Sequence, residues 1–229
     1  VQHFDLAFAR KSAEAFVEEI LVRDLAARHV VVGWDFCFGN KRAGNVALLK
    51  SMGAKHGFGV TAVDPVIAGD GEVYSSSIIR DHLRQGRPAK AAELLGRPWE
   101  IEGRVEAGDR RGRTIGFATA NIGLGDFLCP ALGVYAVMAG RDPGVEHGEE
   151  TRWLPGVANL GRRPTVAGEG IRLEVHVFDF AEDIYGETLR VRFIDFIRAE
   201  KKFDGLDALK AQIALDCGQA REILAQTGI

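Results

Sequence analysis

Apolar and polar positions follow two different rhythms along this chain. Up to about residue 96 the rhythm is that of helices and short apolar runs. Phe16, Val17, Ile20, Leu21 and Leu25 recur at helical spacing behind Ser12, a residue suited to cap a helix N-terminus. Val30, Val31 and Val32 form a continuous apolar run closed by Gly33, the pattern of a strand buried on both faces. A second helix is predicted from Gly44 to His56 and a strand from Val60 to Val63. Strand, helix and strand in this order predict a parallel unit with a right-handed crossover. Short helices over Ser76–Gln85 and Ala89–Leu95 complete the region.

After Gly96-Arg97-Pro98 the pattern changes to short β-rich or alternating segments, at Ile101–Glu106, Gly133–Ala139, Leu173–Phe180 and Leu189–Phe196. Such strands, separated by glycine, proline and acidic residues, predict a small antiparallel barrel or sandwich. The last element is an amphipathic helix over Leu206–Leu224, with Leu206, Leu209, Ile213, Ala220 and Leu224 on its apolar side. The change of rhythm places a domain break near residue 97, with an α/β domain over 1–97 and a β domain over 98–229.

The bulk numbers narrow the partners. The 229 residues can hold one large domain or two small ones, and 46% hydrophobic with 27% charged residues is ordinary globular composition. A net charge of −3 gives no electrostatic reason to expect nucleic acid or an anionic membrane as partner. Cys37, Cys129 and Cys217 are distant, odd in number and form no Cys-x-x-Cys. They predict reduced thiols in a cytoplasmic protein and no structural zinc site. No apolar run is long enough to span a bilayer and no signal peptide is visible. The chain begins at Val1, which raises the expectation of a fragment. The oligomeric state is left open.

The chemistry concentrates in Gly108-Asp109-Arg110-Arg111-Gly112-Arg113-Thr114-Ile115-Gly116-Phe117-Ala118-Thr119-Ala120-Asn121. Its glycines let the backbone turn tightly beside something anionic, and its arginines supply positive charge. Thr119 and Asn121 share one face of an extended segment, because side chains alternate. Two neutral oxygen donors suit Mg²⁺, which takes few protein ligands plus substrate phosphates. The same residues are also good hairpin chemistry. Farther on, the alternation in Leu173–Phe180 puts Leu173, Val175 and Val177 on one face, and Glu174 and His176 on the other. By itself Glu174 reads as an exposed strand residue and His176 as a solvated one.

The basic glycine loop followed by Thr-x-Asn resembles the ATP and Mg²⁺ site of riboflavin kinases, where the motif usually reads GdxxGrxxGfPTAN. The resemblance continues through Gly133–Val137, Gly156–Thr165, Asp183–Glu187 and Ile197–Phe203, over about residues 98–220 and in the family's order. It implies a six-stranded antiparallel barrel with a C-terminal helix, and phosphorylation of riboflavin to FMN with Mg-ATP. It also implies roles for single residues. Gly108, Arg110, Gly112 and Arg113 would hold phosphates, and Thr119 and Asn121 the metal. Glu174 would be the base that takes the proton of the riboflavin 5′-hydroxyl. Arg198 would contact flavin, its plain alternative being a surface charge. Asn159–Thr165 read alone is a turn. One departure is Ala118 in place of the family's proline, which leaves φ ahead of Thr119 freer.

The first region resembles the adenylyltransferase part of bacterial bifunctional riboflavin kinase/FAD synthetases. Val31–Gly39 matches their vvGxdFrFG segment, with Cys37 in place of the arginine, and Tyr74–Arg80 matches SSTxIR. Ser75, Ser76, Ser77 and Arg80 at a helix start combine free N–H groups, dipole and charge, as a phosphate needs. The ordinary reading is a serine N-cap. The His-x-Gly-His motif of this class is absent from the sequence. The resemblance therefore implies the later part of a Rossmann-like nucleotidyltransferase domain, with FMN adenylylation to FAD expected of an intact parent protein. The alternative for the whole chain is a non-catalytic flavin- or nucleotide-binding module.

Overall fold

The computed structural model describes residues 3–69, 71–106, 116–141, 151–165 and 168–227, with side chains left aside over 163–169. The chain divides into two compact units, Val1–Tyr74 and Ser75–Ile229.

In the first unit α1 (Leu6–Ala9) is capped by Asp5, whose Oδ1 accepts from Phe8 N at 2.7 Å. Ser12 caps α2 (Ala13–Ala15) as expected, accepting from Ala15 N at 3.1 Å. Beyond Ala15 the helix is not the α-helix that the apolar spacing predicts. It widens into a π-helix over Phe16–Asp24, and Leu25 N bonds Ile20 O at 2.9 Å. The wider turn shifts the apolar face, so Val17 is buried while Leu25 stands 65% exposed.

Strands β1 (His29–Gly33) and β2 (Gly59–Val63) pair in parallel, as predicted, and α3 (Val46–His56) connects them. Asn45 caps α3 by accepting from Leu48 N at 3.0 Å. Gly57 ends it at φ 81°, a left-handed turn that glycine adopts without strain. The expectation that Val30–Val32 would be buried on both faces does not hold. Val30 and Val32 pack with Leu49, Met52 and Phe58, whereas Val31 is 62% exposed. Among the described residues, β1 is covered on one face only.

The second unit opens with α4 (Ser76–Arg84) and α5 (Pro88–Leu95). Both belong with the strands that follow, since Leu83 O accepts from Ala131 N at 3.0 Å and α5 packs on β8 and β3. The strands are β3 (Trp99–Glu106), β4 (Ala120–Gly123), β5 (Gly133–Arg141), β6 (Arg152–Thr165), β7 (Gly168–Val177) and β8 (Thr188–Ala199). They close an antiparallel barrel in the order β3-β4-β7-β6-β5-β8. Asn159–Thr165 is thus the end of a long strand and not a turn. Ile101, Ile122, Tyr135, Leu160, Leu173, Val175, Val191 and Phe193 fill the interior. Tyr135 stacks edge-on against Phe193 with ring centres 4.9 Å apart and donates its hydroxyl to Ala131 O.

Outside the barrel lies α6 (Leu206–Gln226). Its Ala220 and Leu224 pack on Val134, Ala136, Met138, Val157, Phe178 and Ile194. Leu206, expected on its apolar side, is 65% exposed, and the helix packs on the barrel through Cys217, Ala220, Ile223 and Leu224. The charged Asp216 takes a buried place on that face, at 3% exposure.

Candidate active site

Barrel register decides which side chains can act together. Interior positions of β4, β6 and β7 are apolar, so the alternate positions point outward. Asn121 on β4 is the register partner of Glu174 on β7, and Glu174 is in turn the partner of Asn159 on β6. Three polar side chains therefore stand in one row across three neighbouring strands, each half-buried. Gly161, two residues beyond Asn159, opens the surface beside the row. A Cβ there would lie 2.2 Å from Glu200 Oε1 and 3.1 Å from Asn159 Nδ2, so both groups press against this one bare position.

Thr119 lies immediately ahead of β4, and with Asn121 it lines a cleft. The opposite wall is the turn between β7 and β8, through Phe180, Glu182, Asp183 and Tyr185. Ladder-like bonds hold that wall to β3: Gly186 N to Val105 O at 2.9 Å and Val105 N to Glu187 O at 2.8 Å. Arg104 Nε adds a bond to Gly186 O at 2.9 Å. Within the turn, Tyr185 N bonds Asp183 Oδ1 at 3.1 Å.

Thr119 and Asn121 thus share the cleft, and their donor set is two neutral oxygens. Among the described residues, no group of three or more His, Cys, Asp or Glu side chains is arranged to hold a metal. Such a site fits an ion whose remaining ligands are phosphates and water, the usual habit of Mg²⁺. The four phosphate-loop residues expected at Gly108, Arg110, Gly112 and Arg113 lie outside the described residues.

His176, which the sequence left as a solvated strand residue, is engaged instead. Its Nδ1 lies 2.8 Å from Ala118 O, just ahead of Thr119. Arg198, expected to contact flavin, is held on β8 by α6. Its Nε and Nη2 donate to Asp216 Oδ1 and Oδ2 at 2.8 and 2.7 Å, and Gln212 Nε2 adds a bond to Oδ1 at 2.9 Å. Arg198 lies in the same cross-strand row as Asn159, on the far side of Val134.

At α4 the Ser75 Oγ accepts from Ser77 N at 3.2 Å, so it caps the helix. Arg80 Nη2 reaches Ser77 Oγ at 3.2 Å, leaving Ser76, Ser77 and Arg80 exposed at the helix start. The three cysteines are free thiols, and burial pushes those of Cys129 and Cys217 above the ordinary thiol range. No helix among the described residues is long and apolar enough to cross a membrane.

Comparison with known proteins identifies the family. Residues 95–224 match the riboflavin kinase family and residues 1–77 the FAD synthetase family. The bifunctional riboflavin kinase/FMN adenylyltransferase of Escherichia coli K12 is 44% identical over 224 residues, covering 98% of this chain and 69% of that protein. The protein of the same name from Listeria monocytogenes is 38% identical over 228 residues, covering 99% and 69%. A crystal structure from Streptococcus pneumoniae, named as a macrolide-efflux protein, has a TM-score of 0.75 at 36% identity. It covers 93% of this chain and 66% of that one. The chain belongs to the riboflavin kinase family, in the form that bacteria join to an FMN adenylyltransferase.

Proposed function

We propose that the barrel transfers the γ-phosphoryl group of ATP to the 5′-hydroxyl of riboflavin, with the outward row of β4 and β7 as its reacting edge. The observation that carries this reading is the direct pairing of Asn121 with Glu174 beside the cleft that Thr119 lines. Phosphoryl transfer is mainly a problem of position and charge. The riboflavin oxygen forms the new bond to γ-phosphorus while the bond to the β,γ-bridging oxygen breaks and ADP leaves. Glu174 takes the hydroxyl proton, as general base. Thr119 and Asn121 would hold Mg²⁺ with the triphosphate, and the ion when bound supplies charge neutralisation there. Gly108, Arg110, Gly112 and Arg113 would complete the phosphate cradle. Arg198, fixed by Asp216, would border the flavin.

For the second activity, Ser75, Ser76, Ser77 and Arg80 would receive phosphates at the start of α4, in adenylylation of FMN to FAD by the intact parent protein. The module boundary is proposed near residue 97, close to residue 95 where the match to the riboflavin kinase family begins, although α4 and α5 pack with the barrel. The partners are riboflavin, FMN and ATP, without nucleic acid or membrane. Three free thiols favour the cytoplasm.

A Glu174→Gln variant tests the base. Steady-state turnover should fall about a thousandfold, while riboflavin binding, followed by quenching of flavin fluorescence with ADP present, stays within about threefold. A variant that keeps near-normal turnover would remove Glu174 from the chemistry. A wild-type chain that binds flavin and nucleotide without any turnover would leave the non-catalytic binding module as the better reading.

A further inference from the structure

His176 stands on β7 two residues beyond Glu174 and on the same outer face, with Val157 of β6 as register partner. Its Nδ1 lies 2.8 Å from the Ala118 carbonyl oxygen. A carbonyl can only accept, so Nδ1 carries a proton and donates. The imidazole meets Phe117 edge-on, with ring centres 5.5 Å apart and planes at 80°. On its other side it meets Phe178 at 5.8 Å and 74°. Phe178 is 3% exposed, and the Arg221 guanidinium of α6 sits 4.2 Å from its ring centre. The imidazole is therefore seated against a fixed wall, with its donor aimed at the backbone one residue ahead of Thr119.

That backbone needs a tether. The paired part of β4 spans Ala120–Gly123, and among the described residues, 117–119 have no strand partner. The direction of the Thr119 side chain then follows from whatever fixes the Ala118 peptide. Alanine at 118 leaves φ to vary where proline would lock it. We propose that His176 is a positioning residue for the nucleotide end of the site. By holding the Ala118 carbonyl it aims Thr119 and Asn121 into the cleft, so that Mg-ATP feels its loss and riboflavin does not. This rests on the reading of Thr119 and Asn121 as the nucleotide and metal residues.

Steady-state kinetics on the full chain, with ATP and riboflavin varied separately, test it. His176→Phe keeps an aromatic ring between Phe117 and Phe178 but removes the donor. The KM for ATP should rise about fivefold, the equivalent of one neutral hydrogen bond at ~1 kcal/mol, with the KM for riboflavin and the melting temperature little changed. His176→Asn keeps an N–H at the δ position and should recover most of that loss. His176→Gln, with its donor one bond farther out, should not. Equal rises in both KM values, or an Asn variant no better than the Gln variant, would overturn the proposal. Thr119→Ala separates the two layers. If it leaves the KM for ATP unchanged, the nucleotide reading of Thr119 fails. If it raises that KM while His176→Phe does not, only the positioning role fails.

Discussion

Strands β1 and β5 carry similar apolar runs, Val30–Val32 and Val134–Ala139, yet they end in different surroundings. Gly133 through Gly140 are buried without interruption, because the barrel interior lies on one side of β5 and α6 on the other. In β1 exposure alternates residue by residue, since packing reaches it from one face. An apolar run thus states what a strand can bury, while the covering elements decide what it does bury. The contrast also shows where chemistry has room. The outer faces of β4, β7 and β6 carry the half-buried Asn121, Glu174 and Asn159, with α6 reaching β6 at Val157, and the covered face of β5 carries only packing.

The contrast can be broken most forcefully at α6. Asp216→Ala would leave the guanidinium of Arg198, 22% exposed, without its carboxylate and loosen the lid over β5. A loss of about 3 kcal/mol in urea unfolding is expected. Val31→Ala in the first unit, at a 62% exposed position, should stay within about 0.5 kcal/mol. Comparable losses from the two substitutions would mean that β1 is as well covered as β5.

Acid probes the neighbouring strands β3 and β8, where Glu100 pairs with Arg190 and Arg192. Burial pulls the Glu100 carboxyl upward, but hydrogen bonds from Arg190 and Arg192, at 2.8 and 3.2 Å, outweigh it and hold its pKa below the ordinary value. A carboxylate with a depressed folded pKa contributes stability that is complete above its unfolded pKa and is lost as pH falls through the folded one. The melting temperature should therefore drop as pH passes below the usual glutamate range. Glu100→Gln should flatten that acid limb, and an unchanged limb would rule out this carboxylate as its source. The smallest effect is expected at Ala118. Ala118→Pro keeps the carbonyl that His176 holds while fixing φ, so the affinity for ATP should change by about two- to fivefold. Unchanged ATP affinity would show that residue 118 does not govern Thr119.

Much of this was legible from side-chain rhythm. β3, β5, β7 and β8 show alternation or β-rich runs, and both helices ahead of the barrel and the one after it were readable. β6 was not, because Pro155, Gly156, Gly161 and Pro164 interrupt its period and mimic turn chemistry. Thr119, Asn121 and Glu174 were singled out as candidates through motif resemblance. Their adjacency was not visible, since register between β4 and β7 depends on hydrogen bonding between segments some fifty residues apart. The positions of Asn159 beside Glu174 and of His176 beside Ala118 were hidden for the same reason. Asp216 escaped because a hydrophobic face is sought by apolar spacing, and a buried carboxylate shows only once Arg198 is placed beside it.

The row of Asn121 and Glu174 beside the Thr119 cleft is proposed to phosphorylate riboflavin. The most direct measurement is to incubate the chain with riboflavin, ATP and Mg²⁺ and separate the flavins by chromatography, alongside Glu174→Gln. FMN should accumulate with time in the wild type and appear about a thousandfold more slowly in the variant. No FMN from the wild-type chain, or equal FMN from both, would contradict it.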